Sequence, residues 1–564
     1  MNISLGNPPT AIHIFKRTHH VWRWITTESL RAATAAVVML WTPAAQAEGT
    51  VTNCTEASLR AAMASGGRVT FACDGTITLA GTVTNSADTI LDGTGRQVTI
   101  SGGKAVGLFY VGTNNALTIL HMTLANGRGE QGGAIFNDSG ILNLQDVFLG
   151  TNVCTWSSGG AIYNRSGTLN ATNCAFSGNV AQAMEDPFPG PARGGGICNE
   201  SGQVQLQECV FSDNVAHGVA GFQMPYGGGV FIGSPGGDGR GGAIYNSGVL
   251  EAAACALMGN SASGGAAGDM ASSDPYAGGW GGASGGSGLG GGVFNLGTAG
   301  FDQTTFASNT VSGGPGGRGG PAWIGMNGPM PAGPDGPSGS ADGGALANQG
   351  TATLVNATIA GNSDGIWDRV AGGGVALTNC TVALNGAGIQ TTGAMLINTL
   401  LAANYPNCAG AIVDLGHNLS SDASCAFTNT TSLSGTDPKL GPLADNGGGT
   451  LTMALLAGSP AIDAGDSLAA PPTDERGFGR FGSAADIGAF EYWPPPPVLQ
   501  VSWPPGGGVD ILVVGAPWQS CRLLASSNLT TWTVTATNQT GGGGTVLFHD
   551  AGGGNRRFYR VVLP

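Results

Sequence analysis

Between Gly132 and Asn385 the apolar residues recur in short alternating runs, not at helical spacing. In Tyr163–Asn179 (YNRSGTLNATNCAFSGN), Leu169 and Ala171 alternate with polar neighbours, and Cys174 and Phe176 form a second pair after a break at Asn173. A period of two over so few residues predicts strands of about 3–5 residues separated by turns. Six blocks of one kind punctuate the runs: Gly132–Asn137 (GGAIFN), Gly159–Asn164 and Gly241–Asn246 (both GGAIYN), Gly194–Asn199 (GGGICN), Gly290–Asn295 (GGGVFN) and Gly343–Asn348 (GGALAN).

A second signature succeeds each block at a nearly constant distance. It lies 17 residues on at Phe176 and Phe211, and 16 on at Leu257, Phe306 and Ile359, each with an Asn three places later. Phe148 stands 16 residues after Gly132, with Asn152 one place later than the pattern asks. The shortest repeat, Gly132 to Gly159, takes 27 residues, and all length variation falls between the second Asn and the next Gly-Gly. Short strands at that period, with insertions at one corner, predict a parallel β-helix whose coils stack about 4.8 Å apart. Gly-Gly supplies the turn with positive φ. Asn137, Asn164, Asn199, Asn246, Asn295 and Asn348 then form one column, and Asn179, Asn214, Asn260, Asn309 and Asn362 another, each able to hydrogen-bond along the stack. Cys174, Cys209, Cys255 and Cys380 share a further column facing inward, where small core filler is the reading favoured over a metal site.

The N-terminal residues read differently. Lys16, Arg17, Arg23 and Arg31 precede the apolar run Ala32–Trp41, and Ala45-Gln46-Ala47 is a small-x-small cleavage site. Residues 1–47 are thus expected to be an export signal, and the mature chain to carry no transmembrane segment. Beyond that point 17 basic and 34 acidic residues remain, a net charge of −17. That excludes nucleic acid as the expected partner. Gly supplies 101 of 564 residues, without the chain-wide Gly-X-Y period of collagen. With only 10% charged residues the fold must rest on stacking and backbone hydrogen bonds. All 11 cysteines lie after the signal, an odd number in an exported chain.

The repeats of Gly132–Asn385 resemble those of bacterial polymorphic outer membrane proteins, which alternate GGA[IV] and FxxN on a right-handed β-helix. Before them, Cys54-Thr-Glu-Ala-Ser-Leu-Arg-Ala-Ala, Gly66-Gly-Arg-Val-Thr-Phe-Ala-Cys73 and Ile90-Leu-Asp-Gly are similar to the capping helix and first coils of pectate-lyase-like β-helices. Cys54 and Cys73 would staple that cap. A third resemblance is carried by Asp414-Leu-Gly-His-Asn-Leu, Asp437-Pro-Lys-Leu-Gly-Pro-Leu, Gly458-Ser-Pro-Ala-Ile-Asp-Ala-Gly, Asp474-Glu-Arg-Gly and Asp486-Ile-Gly-Ala-Phe-Glu. This string, within Cys408–Tyr492, resembles the C-terminal part of choice-of-anchor Q proteins, exported β-helix proteins with varied surface-anchoring modules. The resemblance implies a Cys408–Cys425 disulfide and no catalytic role.

The expected organisation is a signal (1–47), a right-handed parallel β-helix (48–492, with the anchor-Q-like region at 408–492), a proline linker (493–497) and a C-terminal β-sandwich-like module (498–564). Ser527-Asn-Leu-Thr-Thr-Trp and Arg557-Phe-Tyr-Arg-Val-Val-Leu-Pro in that module resemble C-terminal pieces of exported proteins of the Verrucomicrobia type.

Candidate chemistry is sparse. No polygalacturonase or pectate-lyase catalytic pattern is present, so no catalytic residue is assigned. The Gly-rich insertions, Gln182–Arg193, Gly218–Arg240, Gly264–Gly290 and Gly313–Asp342, carry Tyr226, Tyr276, Trp280 and Trp323, aromatics suited to sugar or protein contact. Gly236-Gly-Asp-Gly-Arg resembles a fragment of the calcium nonapeptide without its spacing or repetition, so Ca²⁺ is the one cofactor considered and none is expected. Asp474, Arg476, Arg480, Asp486 and Glu491 form the densest charged cluster, expected to close the last coil through Arg–carboxylate forks. The chain is therefore expected to be a secreted or cell-surface protein with a structural, adhesive or carbohydrate-binding role, its partner an extracellular polysaccharide or cell-surface component, with a polysaccharide lyase or glycoside hydrolase acting on extracellular polysaccharide as the alternative.

Overall fold

The computed structural model describes residues 48–183, 190–227, 230–272, 280–325, 328–371, 374–493, 498–504, 508–515, 520–540, 545–551 and 557–562. The expected export signal lies outside them, as does most of the proline linker.

The architecture is a parallel β-helix. One coil shows its logic: a first strand Ile162–Asn164, a second Thr168–Thr172, a third Ala175–Ser177 and a fourth Val180–Gln182. Each strand pairs in parallel and in register with its counterpart one coil on, so Ile162 faces Ile197 and Ile197 faces Ile244. Alternation sends Leu169, Val204 and Leu250 inward from the second strand and Phe176, Phe211 and Phe306 inward from the third, all essentially inaccessible. Phe176 and Phe211 stack with ring centroids 4.5 Å apart and planes 3° from parallel.

Registration corrects one alignment made from sequence. Leu149, not Phe148, pairs with Phe176, and Phe148 points outward. Asn152 is then in register after all. Its Nδ2 donates to Asn179 Oδ1 at 2.9 Å, and the column continues through Asn214, Asn260, Asn309, Asn362, Asn385, Asn404 and Asn407. Each Oδ1 also accepts the backbone N–H of the preceding Asn, as Asn214 Oδ1 does from Asn179 at 3.1 Å. The other column runs from Asn137 to Asn348 and ends on a carboxylate, Asp368, which accepts from Asn348 and from Thr391 at 3.0 Å each.

The Gly-Gly pair does two jobs. The first Gly has positive φ, 74° at Gly159 and 70° at Gly241. The second is where coils approach most closely: a Cβ on Gly160 would stand 2.0 Å from Gly195 O, and one on Gly195 2.2 Å from Gly242 O. From His121 to Asn398 the corner between second and third strands is left-handed at each coil, with φ of 53° at His121, 51° at Asn173, 54° at Glu208, 52° at Ala254 and 47° at Asn356. Stacking imposes that conformation on residues that would otherwise avoid it.

The Gly-rich insertions all leave between the fourth strand and the next Gly-Gly, and their described segments pack in a way the amino-acid pattern did not foretell. Outside short antiparallel pairings at their tips, the segments 218–222, 234–238, 264–269, 280–287, 313–321 and 331–340 carry Gly at about every third position and bond mainly to one another, and at their ends to the flanking strands, as Gly218 N does to Ser263 O and Gly264 N to Ser312 O. Gly265 donates to Gly237 O at 2.8 Å, Gly286 to Gly265 O at 2.9 Å, Gly314 to Gly286 O at 2.8 Å and Gly339 to Gly314 O at 2.9 Å. A Cβ on Gly264, Gly286, Gly317 or Gly336 would lie 1.8–2.1 Å from a carbonyl oxygen of a neighbouring segment. A three-residue period without internal hydrogen bonds, and glycine wherever segments touch, is the packing of polyproline II rods. Two layers of rods thus stand on one corner of the β-helix.

The parallel strands end at Leu419–Ser420, short of Tyr492 where sequence placed the end of the β-helix. Beyond them come an antiparallel pair, Leu440–Ala444 with Thr452–Leu455, and irregular chain. This segment packs Met453, Leu455, Ala461, Ile487 and Phe490 on the small outward side chains Ala360, Ala383 and Ala402 of the third strands. One α-helix is described, Glu56–Met63. It is capped by Thr55, whose hydroxyl accepts from the Ser58 N–H, and it inserts Leu59 and Met63 into the core. Cys54–Cys73 beside it is a disulfide, as is Cys408–Cys425. The C-terminal module is two three-stranded antiparallel sheets enclosing Ile511, Val513, Cys521, Leu523, Val546 and Phe548.

Candidate functional site

The charged cluster does not close the last coil. It pins the C-terminal segment back onto the left-handed corner of earlier coils. The corner residues Gln303, Asn356, Asn379 and Asn398 donate to the carbonyls of Asp474, Thr473, Asp486 and Asp466 at 3.0–3.1 Å. Arg476 lies 3.7 Å over the Phe490 ring and donates through Nε to Asp474 at 2.8 Å, through Nη1 to Asn446 O and through Nη2 to Glu491 O. Arg480 bridges Glu491 at 2.9 Å and Asn356 Oδ1 at 2.9 Å. Every one of these groups is occupied by the chain itself, which leaves none for a ligand. No group of three His, Cys, Asp or Glu suited to a metal occurs among the described residues.

Two carboxyls here are unusual. Asp486 is inaccessible, and burial followed by repulsion from Glu491 lifts its pKa to about 7. Glu475, unremarked in the sequence, is surrounded by the hydroxyls of Thr305, Thr358 and Thr450, and burial raises it well above the carboxylate range. Thr305 Oγ1 has one proton and two acceptors, Leu451 O at 2.6 Å and Glu475 Oε1 at 3.0 Å. A protonated Glu475 resolves the conflict by donating to that hydroxyl.

Of the insertion aromatics, Trp280 is half exposed at the start of a rod, where its carbonyl accepts from Gly320. Tyr226 and Trp323 sit on the short strands Gln223–Gly227 and Trp323–Gly325; their side chains, and Tyr276 altogether, lie outside the described residues. The insertion acids hold rods together: Asp269 Oδ1 accepts from Arg318 N, Asp335 Oδ1 from Gly319 N and Asp238 Oδ1 from Ser287 N, at 2.7–2.9 Å.

The surface with functional potential is instead the outer face of the first and second strands. The fifth letter of GGAIYN is outward and frequently aromatic, a signal present in the sequence but not used. It builds a column in which Tyr110 and Phe136 are 5.4 Å apart, Phe136 and Tyr163 5.2 Å, and Tyr245 and Phe294 5.6 Å. Arg165, Arg193, Arg240 and Arg369 lie 4.7–5.7 Å over rings of this column. Tyr163, Tyr245, Phe294 and Trp367 are buried beneath these contacts, whereas Tyr110 and Phe136 remain half-buried, beside Asp138, to which Tyr110 donates at 3.1 Å.

Beside the column the second strands present a stripe of amides and hydroxyls. Asn170 donates to Asn143 at 2.9 Å and Asn143 to Thr118 at 3.2 Å. Gln203, Gln205 and Gln207 are exposed on the next coil, and Thr298, Thr351 and Thr353 further on. One acid interrupts the stripe. Glu251 is exposed and folded over Gly300, where a Cβ would stand 2.0 Å from its Oε2; partial burial raises its pKa. Asp302 ends the neighbouring strand on the same face.

The buried thiols are core filler. Cys174, Cys209, Cys255 and Cys380 are inaccessible, and Cys380 is held up to about 12 chiefly by burial. No described helix is long and apolar enough to cross a membrane. Comparison of the chain with known protein families gives no match, and comparison with curated proteins gives none.

Proposed function

We propose that this is a secreted or cell-surface β-helix protein that binds extracellular polysaccharide without cleaving it. The reading rests on one observation, the regular outer stripe of amides and hydroxyls from Asn143 to Thr353 beside the half-exposed rings of Tyr110 and Phe136. Successive coils lie about 4.8 Å apart and present such groups on each coil of the stripe except that of Val249–Ala253, where Glu251 stands instead. A polysaccharide lying along the helix axis meets hydrogen-bonding partners repeatedly, and an aromatic face at one end. The export-type N-terminus and the resemblance of Cys408–Tyr492 to choice-of-anchor Q proteins favour action outside the cell, with the C-terminal module as the anchoring piece.

The test is affinity electrophoresis against neutral and acidic polysaccharides. Retardation by at least one, weakened in a Gln203→Ala/Gln205→Ala/Gln207→Ala variant, is expected. An unretarded wild-type protein across the panel refutes the reading. Glu251, with its raised pKa and Asp302 on the adjoining strand, favours a second reading as a glycoside hydrolase. Release of oligosaccharides that stops in Glu251→Gln would establish it.

A further inference from the structure

Arginine is scarce in this chain and almost always partnered. Arg60, Arg68, Arg96, Arg165, Arg240, Arg476, Arg480 and Arg557 each pair with a carboxylate. Arg193, Arg369 and Arg560 lie over aromatic rings. Arg128 has neither kind of partner among the described residues, nor does Lys104, one of two lysines after the N-terminal region. These two cations line the same cleft, of about 220 Å³, at the corner between third and fourth strands of the early coils. Gly127, Thr151, Val153 and Gly178 complete its lining, and none of these carries a carboxylate.

In a chain of net charge −17 after its N-terminal segment, two cations without carboxylate partners that line one cleft make it a locally positive site that gains from a shared counter-ion. Corner glycines keep the cleft open: Gly178, with φ 61°, leaves a gap where the next side chain would stand. The Thr151 hydroxyl, whose proton is shared between Gly150 O at 2.7 Å and Asn126 Oδ1 at 3.1 Å, offers its lone pairs to a sugar hydroxyl. The volume is below the roughly 300–1,000 Å³ of sites that engulf a whole small molecule, so the cleft fits one charged group or one sugar ring.

We propose that the Lys104–Arg128 cleft is a subsite for the anionic substituent, carboxylate or sulfate, of an acidic sugar. It rests on the polysaccharide-binding reading for its biological role, and it stands or falls separately in the test because the probes are small. Titration calorimetry of the mature chain with D-galacturonate, D-galactose and inorganic sulfate separates the sources of affinity. Galacturonate binding with no heat from galactose is the expected result, and sulfate competition shows that charge suffices. Lys104→Gln/Arg128→Gln should weaken galacturonate by about tenfold or more, the scale of losing charge-assisted hydrogen bonds. Glutamine removes the charge while keeping an unbranched polar side chain, and Lys104, at φ 61°, gains no β-branch. Arg318→Gln, an exposed arginine outside the cleft, changes net charge in the same direction and should leave binding intact. An unchanged melting temperature in the double variant shows that folding is not the cause. Absence of galacturonate binding, equal binding of galactose, or full affinity in the double variant would overturn the proposal.

Discussion

Replacing Asn214 by Ala probes what the asparagine columns contribute. Asn214 Oδ1 accepts the Asn179 N–H at 3.1 Å and Asn179 Nδ2 at 2.9 Å, while its own Nδ2 donates to Asn260 Oδ1 and Phe176 O at 2.9 Å each. All these groups are buried. After truncation Asn179 Nδ2 still reaches Leu149 O, and Asn260 Oδ1 still accepts from Asn214 N, so those two are only weakened. The Asn179 N–H, buried in the column, is left with no protein acceptor. An orphaned buried donor costs about 1–3 kcal/mol and each lost neutral bond about 1 kcal/mol, so the total is roughly 3–5 kcal/mol. Because a long solenoid need not unfold in one step, the assay is hydrogen exchange read by mass spectrometry on peptides covering residues 175–182. Protection there should fall by about two to four orders of magnitude, as roughly 3–5 kcal/mol requires, while peptides several coils away keep theirs. Exchange within about threefold of wild type at Asn179 would refute the claim that the column carries stability.

Further outcomes rest on the same geometry. Glu475 and Asp486 have folded pKa values raised above the unfolded range of about 4, so their penalty is absent below that range and grows as pH climbs toward the folded value, near 7 for Asp486. The C-terminal segment should therefore resist proteolysis better at pH 4.5 than at pH 8, and Glu475→Gln should stabilise it at pH 8 but not at pH 4.5; equal stability at both pH values in wild type contradicts this. Gly286→Ala places a Cβ 1.9 Å from Gly237 O, against backbone that cannot yield, and should cost about 1–3 kcal/mol of rod packing. Faster exchange in residues 264–269 and 280–287 with unaltered coils is the signature. The native protein should show no fast thiol reaction with Ellman's reagent at pH 8, since the cysteines outside the disulfides are buried.

Much of this molecule is written locally. The GGAIYN blocks, the two asparagine columns, the inward cysteines and the alternating strands were legible because a solenoid repeats one local solution. Each coil's pattern predicts its neighbour's, and the period reveals the stack. Where the signal was one residue out of place, at Phe148 and Asn152, only registration against the next coil showed that Leu149 occupies the core.

Three features were decided by tertiary structure. Glycine at every third position inside an insertion says nothing by itself. It becomes a rod only when other segments press carbonyls where a Cβ would be, as Gly237 does on Gly286. The cluster around Asp474 and Arg476 reads as a local knot, yet its partners Gln303, Asn356 and Asn379 lie far back along the chain. Burial of Glu475 likewise depends on threonines from two separate coils, Thr305 and Thr358. Sequence determines what is periodic, because periodicity is short-range backbone and side-chain preference. Which distant surface covers which, and so which carboxyl keeps its proton, is fixed only when the chain folds back on itself and removes water from both sides.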